Sequence, residues 1–346
     1  MTMSLLLGFA LTAGAAEVSG SQDGHASNPS WSPDGGWLAY EVNNYGGNID
    51  LFLVQVSNGN PMGSPQKINI PGSSSSFSSG GSTVAAPSWH PRGIVIFEGS
   101  NSGNDNRLYQ QTPQGAAAGQ LLTSGQINGD LSWPAVSPDG KYVAFVSDVS
   151  GAGDIYYWDR ASNQVIQAVS SPYSEMAPRY NADGTKLVYS RKNRGSQDLF
   201  IWDGSSSSPL VGGNGDQTRP AWSGDSVVFF SNERGDDHWD IAVSSGVGNK
   251  KTIARDIRLP QRATPSVSPD GRWVAYGVED PDNSGKIMFT RTDGSTTVSL
   301  VTGVVACGEP SLIDAGGRVF LAYTALPSEG ADWRQLHIED VTSLLQ

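Results

Sequence analysis

Three observations predict an all-β chain, folded as a single seven-bladed β-propeller of four-stranded antiparallel blades. The first is a phrase said three times: "NPSWSPDGGWLAY" at 28–40, "WPAVSPDGKYVAF" at 133–145 and "TPSVSPDGRWVAY" at 264–276. The second is spacing. Matching prolines, Pro29, Pro87, Pro134, Pro178, Pro220, Pro265 and Pro310, follow one another at 58, 47, 44, 42, 45 and 45 residues. A period near 45 is the length of a four-stranded blade. The third is composition. The 346 residues include 42 Gly and only 16% charged residues, a balance that suits strands and turns better than helices.

Each unit runs through the same elements in order. A short segment such as "PSWS" is the inner strand. Ser32-Pro33-Asp34-Gly35, Ser137-Pro138-Asp139-Gly140 and Ser268-Pro269-Asp270-Gly271 are turns, with Pro fixing φ early and Gly taking positive φ. The second strands are "WLAYEV", "YVAFVS", "KLVYSR", "SVVFFS" and "WVAYGV". The third strands are "IDLFLVQV", "DIYYWD", "DLFIWD", "WDIAVS" and "KIMFTR". A weaker fourth run closes each unit: "QKINI", "QLLTS", "NQVIQAV", "KTIARD" and "VSLVTG". One such sheet cannot bury both faces, whereas radial stacking can. The seventh unit diverges most at "SLIDAGG" (311–317), so six blades plus a cap is the alternative count. "VFLAYTA" and "RQLHIED" supply its second and third strands, and the final "VTSLLQ" is expected as its fourth. The "PGSSSSFSSGGSTVAA" stretch (71–86) reads as a surface loop within one domain.

Residues 1–16 read as an export signal, with an apolar stretch from Leu5 to Leu11 and small residues up to Ala16. The propeller then spans 17–346, and the protein is expected in the periplasm or outside the cell. No other apolar run approaches the length of a membrane span. The net charge is −12, and no basic stripe is present, so nucleic acid is not an expected partner. Cys307 is the single cysteine; it cannot make an internal disulfide and reads as a small buried residue.

The repeated words resemble the TolB-type, WD40-like β-propeller repeat, with unit 3, "PAVSPDGKYVAFVSDVSGAGDIYYWD", matching almost throughout. The resemblance implies a binding propeller. TolB itself carries a separate domain ahead of six blades, which this chain is not expected to have. Propellers of this kind also precede the catalytic domain of prolyl-oligopeptidase-like enzymes, whose Gly-x-Ser-x-Gly elbow is not found here. Other relatives cleave acidic plant polysaccharides using a metal held by histidines.

The chemistry-bearing residues are sparse. His25, His90, His238 and His337 fall at different places in the repeat, so no histidine metal site and no cofactor are expected. Asp154, Asp198 and Asp240 recur just before third strands, which marks a structural task repeated per unit. Trp31, Trp89 and Trp222 share an inner-strand position and read as packing between sheets. A site belongs where the repeats differ. Just before the inner strands stand His25, Asp130, Glu175, Asp216, Arg219, Arg262 and Glu309, a set of both signs in a charge-poor chain. These seven are the candidate ligand-binding residues at the channel mouth, with Arg219 and Arg262 as solvated anchors. The expected protein is a monomeric scaffold for a protein or glycan. The alternative is a polysaccharide lyase or glycoside hydrolase acting on acidic saccharides at the centre.

Overall fold

The structure, a computed structural model, describes residues 7–9, 16–18, 24–44, 47–71, 83–101, 104–115, 117–193, 195–235, 237–278 and 285–346. Most of the apolar segment read as an export signal, and most of the serine-rich stretch at 71–86, lie outside them. Among the described residues every regular element is a strand.

Units 3, 4 and 5 each form one separate four-stranded antiparallel sheet. Unit 3 shows the order: Leu131–Val136, Tyr142–Ser147, Asp154–Asp159 and Gln164–Val169, paired consecutively. Units 1 and 2 together make an eight-stranded sheet, but its two halves meet only through one parallel pair, Ile49 with Thr83. Unit 6 has four strands of its own, and Leu7–Phe9 lies parallel beside Thr297–Val301.

Unit 7 corrects one expectation. Val305–Ala315, Arg318–Leu326 and Gln335–Asp340 form three strands, but "VTSLLQ" is not the fourth. It turns instead, through Leu344 N–H to Val341 O at 3.0 Å, and buries Val341, Leu344 and Leu345 against Trp273 and Leu321. The fourth strand is Ala16–Glu17, which pairs antiparallel with Ile338 and His337.

The core follows from strand alternation. Tyr40, Phe97, Phe145, Tyr189 and Tyr323 occupy the same place on the second strands of units 1, 2, 3, 4 and 7, and each is fully buried. Each stacks on a ring of its own third strand: Phe52, Tyr109, Tyr156, Phe200 and His337, with centroids 5.5–6.1 Å apart. Burying one such ring stabilises by about 2 kcal/mol, and ring pairing adds roughly 1 kcal/mol. Each hydrophobic cluster spans two successive units. The one that joins Leu38 and Tyr40 to Phe320 and Ile338 brings the last unit against the first, which closes a ring.

The Ser-Pro-Asp-Gly turns are built identically. Ser32 Oγ donates to Asp34 Oδ1 at 2.6 Å and accepts the Trp37 N–H at 2.9 Å. Ser137–Asp139–Tyr142 and Ser268–Asp270–Trp273 repeat those bonds. Gly35, Gly140 and Gly271 take φ of 68–73° there, which only glycine adopts without cost.

Candidate binding site at the channel mouth

The inner strands are shaped by their prolines. Proline has no N–H to give the ladder, and the register slips at that point: between Ser27 and Ser30, Ala85 and Ser88, Ser132 and Ala135, Met176 and Arg179, Thr218 and Ala221, and Gly308 and Ser311. The residue before each proline turns left-handed: Asn28, Ala86, Trp133, Ala177, Arg219 and Glu309 have φ of 47–55°. The bulge frees one amide per unit, and side chains of neighbouring units take four of them. Glu41 accepts from Ala86 at 2.8 Å and Glu98 from Trp133 at 3.0 Å. Ser190 accepts from Arg219 at 3.0 Å, and Glu309 from Asn28 at 2.6 Å.

Glu41 and Glu98 are deeply buried and share one guanidinium. Arg262 is ion-paired with Glu98 and lies within electrostatic reach of Glu41. Burial pushes the Glu41 carboxyl up to about 7, against the pull of Arg262, Asn28 and the Ala86 amide; Glu98 adds to the rise. Burial raises Glu98 as well, opposed chiefly by Arg262. Arg219 donates to the carbonyls of Pro260 at 2.6 Å and Ala263 at 3.4 Å, and burial lowers it to about 10. Both arginines are therefore half-buried and engaged, not solvated as the sequence suggested.

The other predicted residues separate. Asp130 and Asp216 each cap the preceding unit, accepting the amides of Asn106 at 2.6 Å and Gln197 at 2.8 Å. Glu175 is buried and holds Ser171 Oγ at 2.6 Å and Arg191 Nε at 2.8 Å. Burial raises its carboxyl, opposed by Ser171 and Arg191. The Arg191 guanidinium lies 4.1 Å from the Phe200 ring centre. His25 and Glu309 do come together, lining a cavity of about 260 Å³ with Ala26, Ser27, Arg258, Leu259, Gln261 and Arg334.

Arg258, Arg334, Glu41 and Glu98 were not legible as site residues. The glutamates left one sign, a carboxylate inside an otherwise apolar second strand, in "WLAYEV" and "VIFEGS". The arginines left none, because they stand outside the positions before the prolines. The tryptophans pack between units. The indole N–H groups of Trp31, Trp89 and Trp222 donate at 3.0 Å to the carbonyls of Ser311, Ser30 and Arg179 on the neighbouring inner strands.

Among the described residues no three His, Cys, Asp or Glu side chains gather to hold a metal. In the loop around Asp240 a guanidinium fills the acidic space: Arg234 Nη2 bonds Asp240 and, at 2.7 Å, Asp256. His90 stands in the turn position of serine, accepting the Arg92 amide at 3.0 Å. Among the described residues no helix is long and apolar enough to cross a membrane.

Residues 130–325 match the family described as TolB beta propeller domain. The chain belongs to the TolB β-propeller family. It is similar to the TolB homolog of Chlorobium chlorochromatii, 29% identical over 140 residues, which is 40% of this chain and 31% of that protein. The match thus spans about a third of that TolB relative. The crystal structure of TolB from Acinetobacter baumannii superimposes with a TM-score of 0.57 at 20% identity, covering 78% of this chain and 65% of that one. Oligogalacturonate lyase from Vibrio parahaemolyticus superimposes with a TM-score of 0.60 at 11% identity, covering 96% and 92%. At these identities the structural likeness is one of fold, which TolB-type propellers share with enzymes.

Proposed function

We propose that this TolB-family chain is an exported, monomeric, seven-bladed propeller that binds a protein segment at the mouth of its ring and catalyses no reaction. The observation that carries the reading is the cavity between the last and first units. It collects two arginines in a chain of net charge −12. The count of seven is supported by the cluster that joins the last unit to the first. Export is supported by the apolar stretch from Leu5 to Leu11 and the small residues after it. A photo-crosslinking residue at Gln261, exposed beside the cavity, is expected to give a discrete cross-linked protein in intact cells. The same residue at exposed Val247 is expected to give none. Equal cross-linking from both positions defeats the reading.

One observation favours a second reading, lyase action on an acidic saccharide: the likeness to oligogalacturonate lyase spans nearly the whole of both chains. Accumulation of an unsaturated, ultraviolet-absorbing product from polygalacturonate decides for it.

A further inference from the structure

We propose that the cavity between the last and first units is a receptor for one carboxylate of an acidic peptide segment. This rests on the mouth-binding reading above and narrows it to a chemistry.

Four segments far apart in the chain meet there. His25 comes from the first inner strand, Arg258 and Gln261 from the segment leading into unit 6, Glu309 from the last inner strand, and Arg334 from just before the last third strand. The charges do not balance. Glu309 is the carboxylate in the lining, and both its oxygens are committed to main-chain amides: Asn28 at 2.6 Å and Gln261 at 2.9 Å. Two guanidinia face that one spent carboxylate. Arg334 gives Nη1 to the Ala306 carbonyl at 2.7 Å, and Arg258 Nε is buried without a partner. A charged donor left unmade is costly, and an anion seated beside the pair would offset that cost.

Gly308 supports this. A Cβ there would stand 3.3 Å from Arg258 Cδ and 3.4 Å from Arg334 Nη1. Gly308 is absent from the positive-φ positions, so its backbone does not demand glycine. What glycine preserves is the gap between the two arginines. His25 adds a fixed tautomer. Its Nδ1 accepts the Arg334 amide at 3.2 Å, which leaves the neutral ring's proton on Nε2. Burial and the neighbouring Arg334 both lower its pKa, favouring that neutral form.

Charge selects the ligand. Two guanidinia less one carboxylate leave a single positive charge, which matches a monoanion better than a phosphate dianion. The planar fork of arginine pairs with a carboxylate in bidentate fashion. The lining offers Ala26 and Leu259 as apolar surface, and its one ring, His25, is already packed edge-on against Trp333 with centroids 5.3 Å apart, so a peptide side chain is favoured over a uronate.

The test is calorimetric titration of the whole chain at low ionic strength with acetylated tri-glutamate amide, inorganic phosphate and a galacturonate trimer. The peptide is expected to bind, and Arg258→Ala and Arg334→Ala are each expected to weaken it about tenfold or more. Gly308→Ala, which keeps both charges and only narrows the gap, is expected to weaken it as well and serves if an arginine variant fails to fold. Arg160→Ala, in the turn after the third strand of unit 3, is expected to leave it unchanged. Peptide binding that ignores all three cavity variants overturns the proposal, as does no peptide binding. A galacturonate trimer or phosphate held more tightly than the peptide through the same arginines overturns the choice of ligand. If Gln261 cross-links persist in a folded Arg258→Ala/Arg334→Ala chain, this receptor is overturned while the mouth-binding reading stands. Loss of specific Gln261 cross-links in the parent chain defeats that reading itself.

Discussion

The carboxylate of Glu41 accepts the amide of Ala86 at 2.8 Å, so the second strand of unit 1 holds the bulge of unit 2. The same carboxylate accepts Asn28 Nδ2 at 2.7 Å through the same oxygen, and its other oxygen is buried without a partner. That asymmetry has a measurable cost.

Glu41→Gln is expected to stabilise the protein at neutral pH and above. The Glu41 carboxyl is raised from 4.5 to about 7, so between those values the folded state holds a proton that the unfolded state has released. Stability from this group is therefore highest below pH 4.5 and falls as pH rises toward 7. A rise of that size corresponds to roughly 3 kcal/mol. Urea unfolding of both proteins at pH 4.5 and pH 8 measures it. The gain must appear at pH 8 and shrink at pH 4.5.

His337 slopes the other way. Burial against Tyr323 lowers it from 6.5 to about 4, so in that window the unfolded state binds the extra proton. Stability is lost as pH falls from 6.5 toward 4. His337→Phe, which keeps a ring on Tyr323, is expected to flatten that part of the stability–pH curve. An unchanged curve refutes it.

Arg262→Ala is expected to destabilise by about 3 kcal/mol, because it strands the Glu98 carboxylate, 3% exposed, without its cation. Arg262→Ala with Glu98→Gln is expected to recover most of the loss. Additive losses in that double variant count against the pairing.

Trp31→Phe removes the indole bond to Ser311, which joins the first and last inner strands. A loss of about 1–2 kcal/mol is expected, read as a lower urea midpoint at unchanged slope. No shift would mean that the ring is held shut by packing alone.

Ala177→Gly tests the bulges. Ala177 sits at φ 51°, where a Cβ costs on the order of 1 kcal/mol. Glycine relieves that cost but adds unfolded-state entropy and removes a fully buried methyl, so the net change is expected to lie within about 1 kcal/mol of zero. A clear fall in melting temperature contradicts it.

What was legible in the sequence was local. The Ser-Pro-Asp-Gly turns announce themselves because Ser, Asp and Gly each do their work within five residues of chain. The repeated prolines marked where inner strands begin, but not that each forces a left-handed bulge whose amide needs a partner in another unit. Asp130 and Asp216 read as mouth residues because only their place before the inner strand was visible. Their acceptor role depends on amides 24 and 19 residues earlier. His25 and Arg334 meet only because the ring closes, and nothing near either in the sequence records that.

The closing strand, Ala16–Glu17, has a consequence for how the chain is made. It pairs with Gln335–Asp340, a partner synthesised more than 300 residues later. Four-stranded sheets in the middle of the chain can form as they emerge, but the final one cannot. Whatever machine delivers this polypeptide, N-terminus first, handles an unclosed array until the last strands are released. Maturation is thus timed by chain length, and a ribosome stalled before residue 335 leaves the molecule without its clasp.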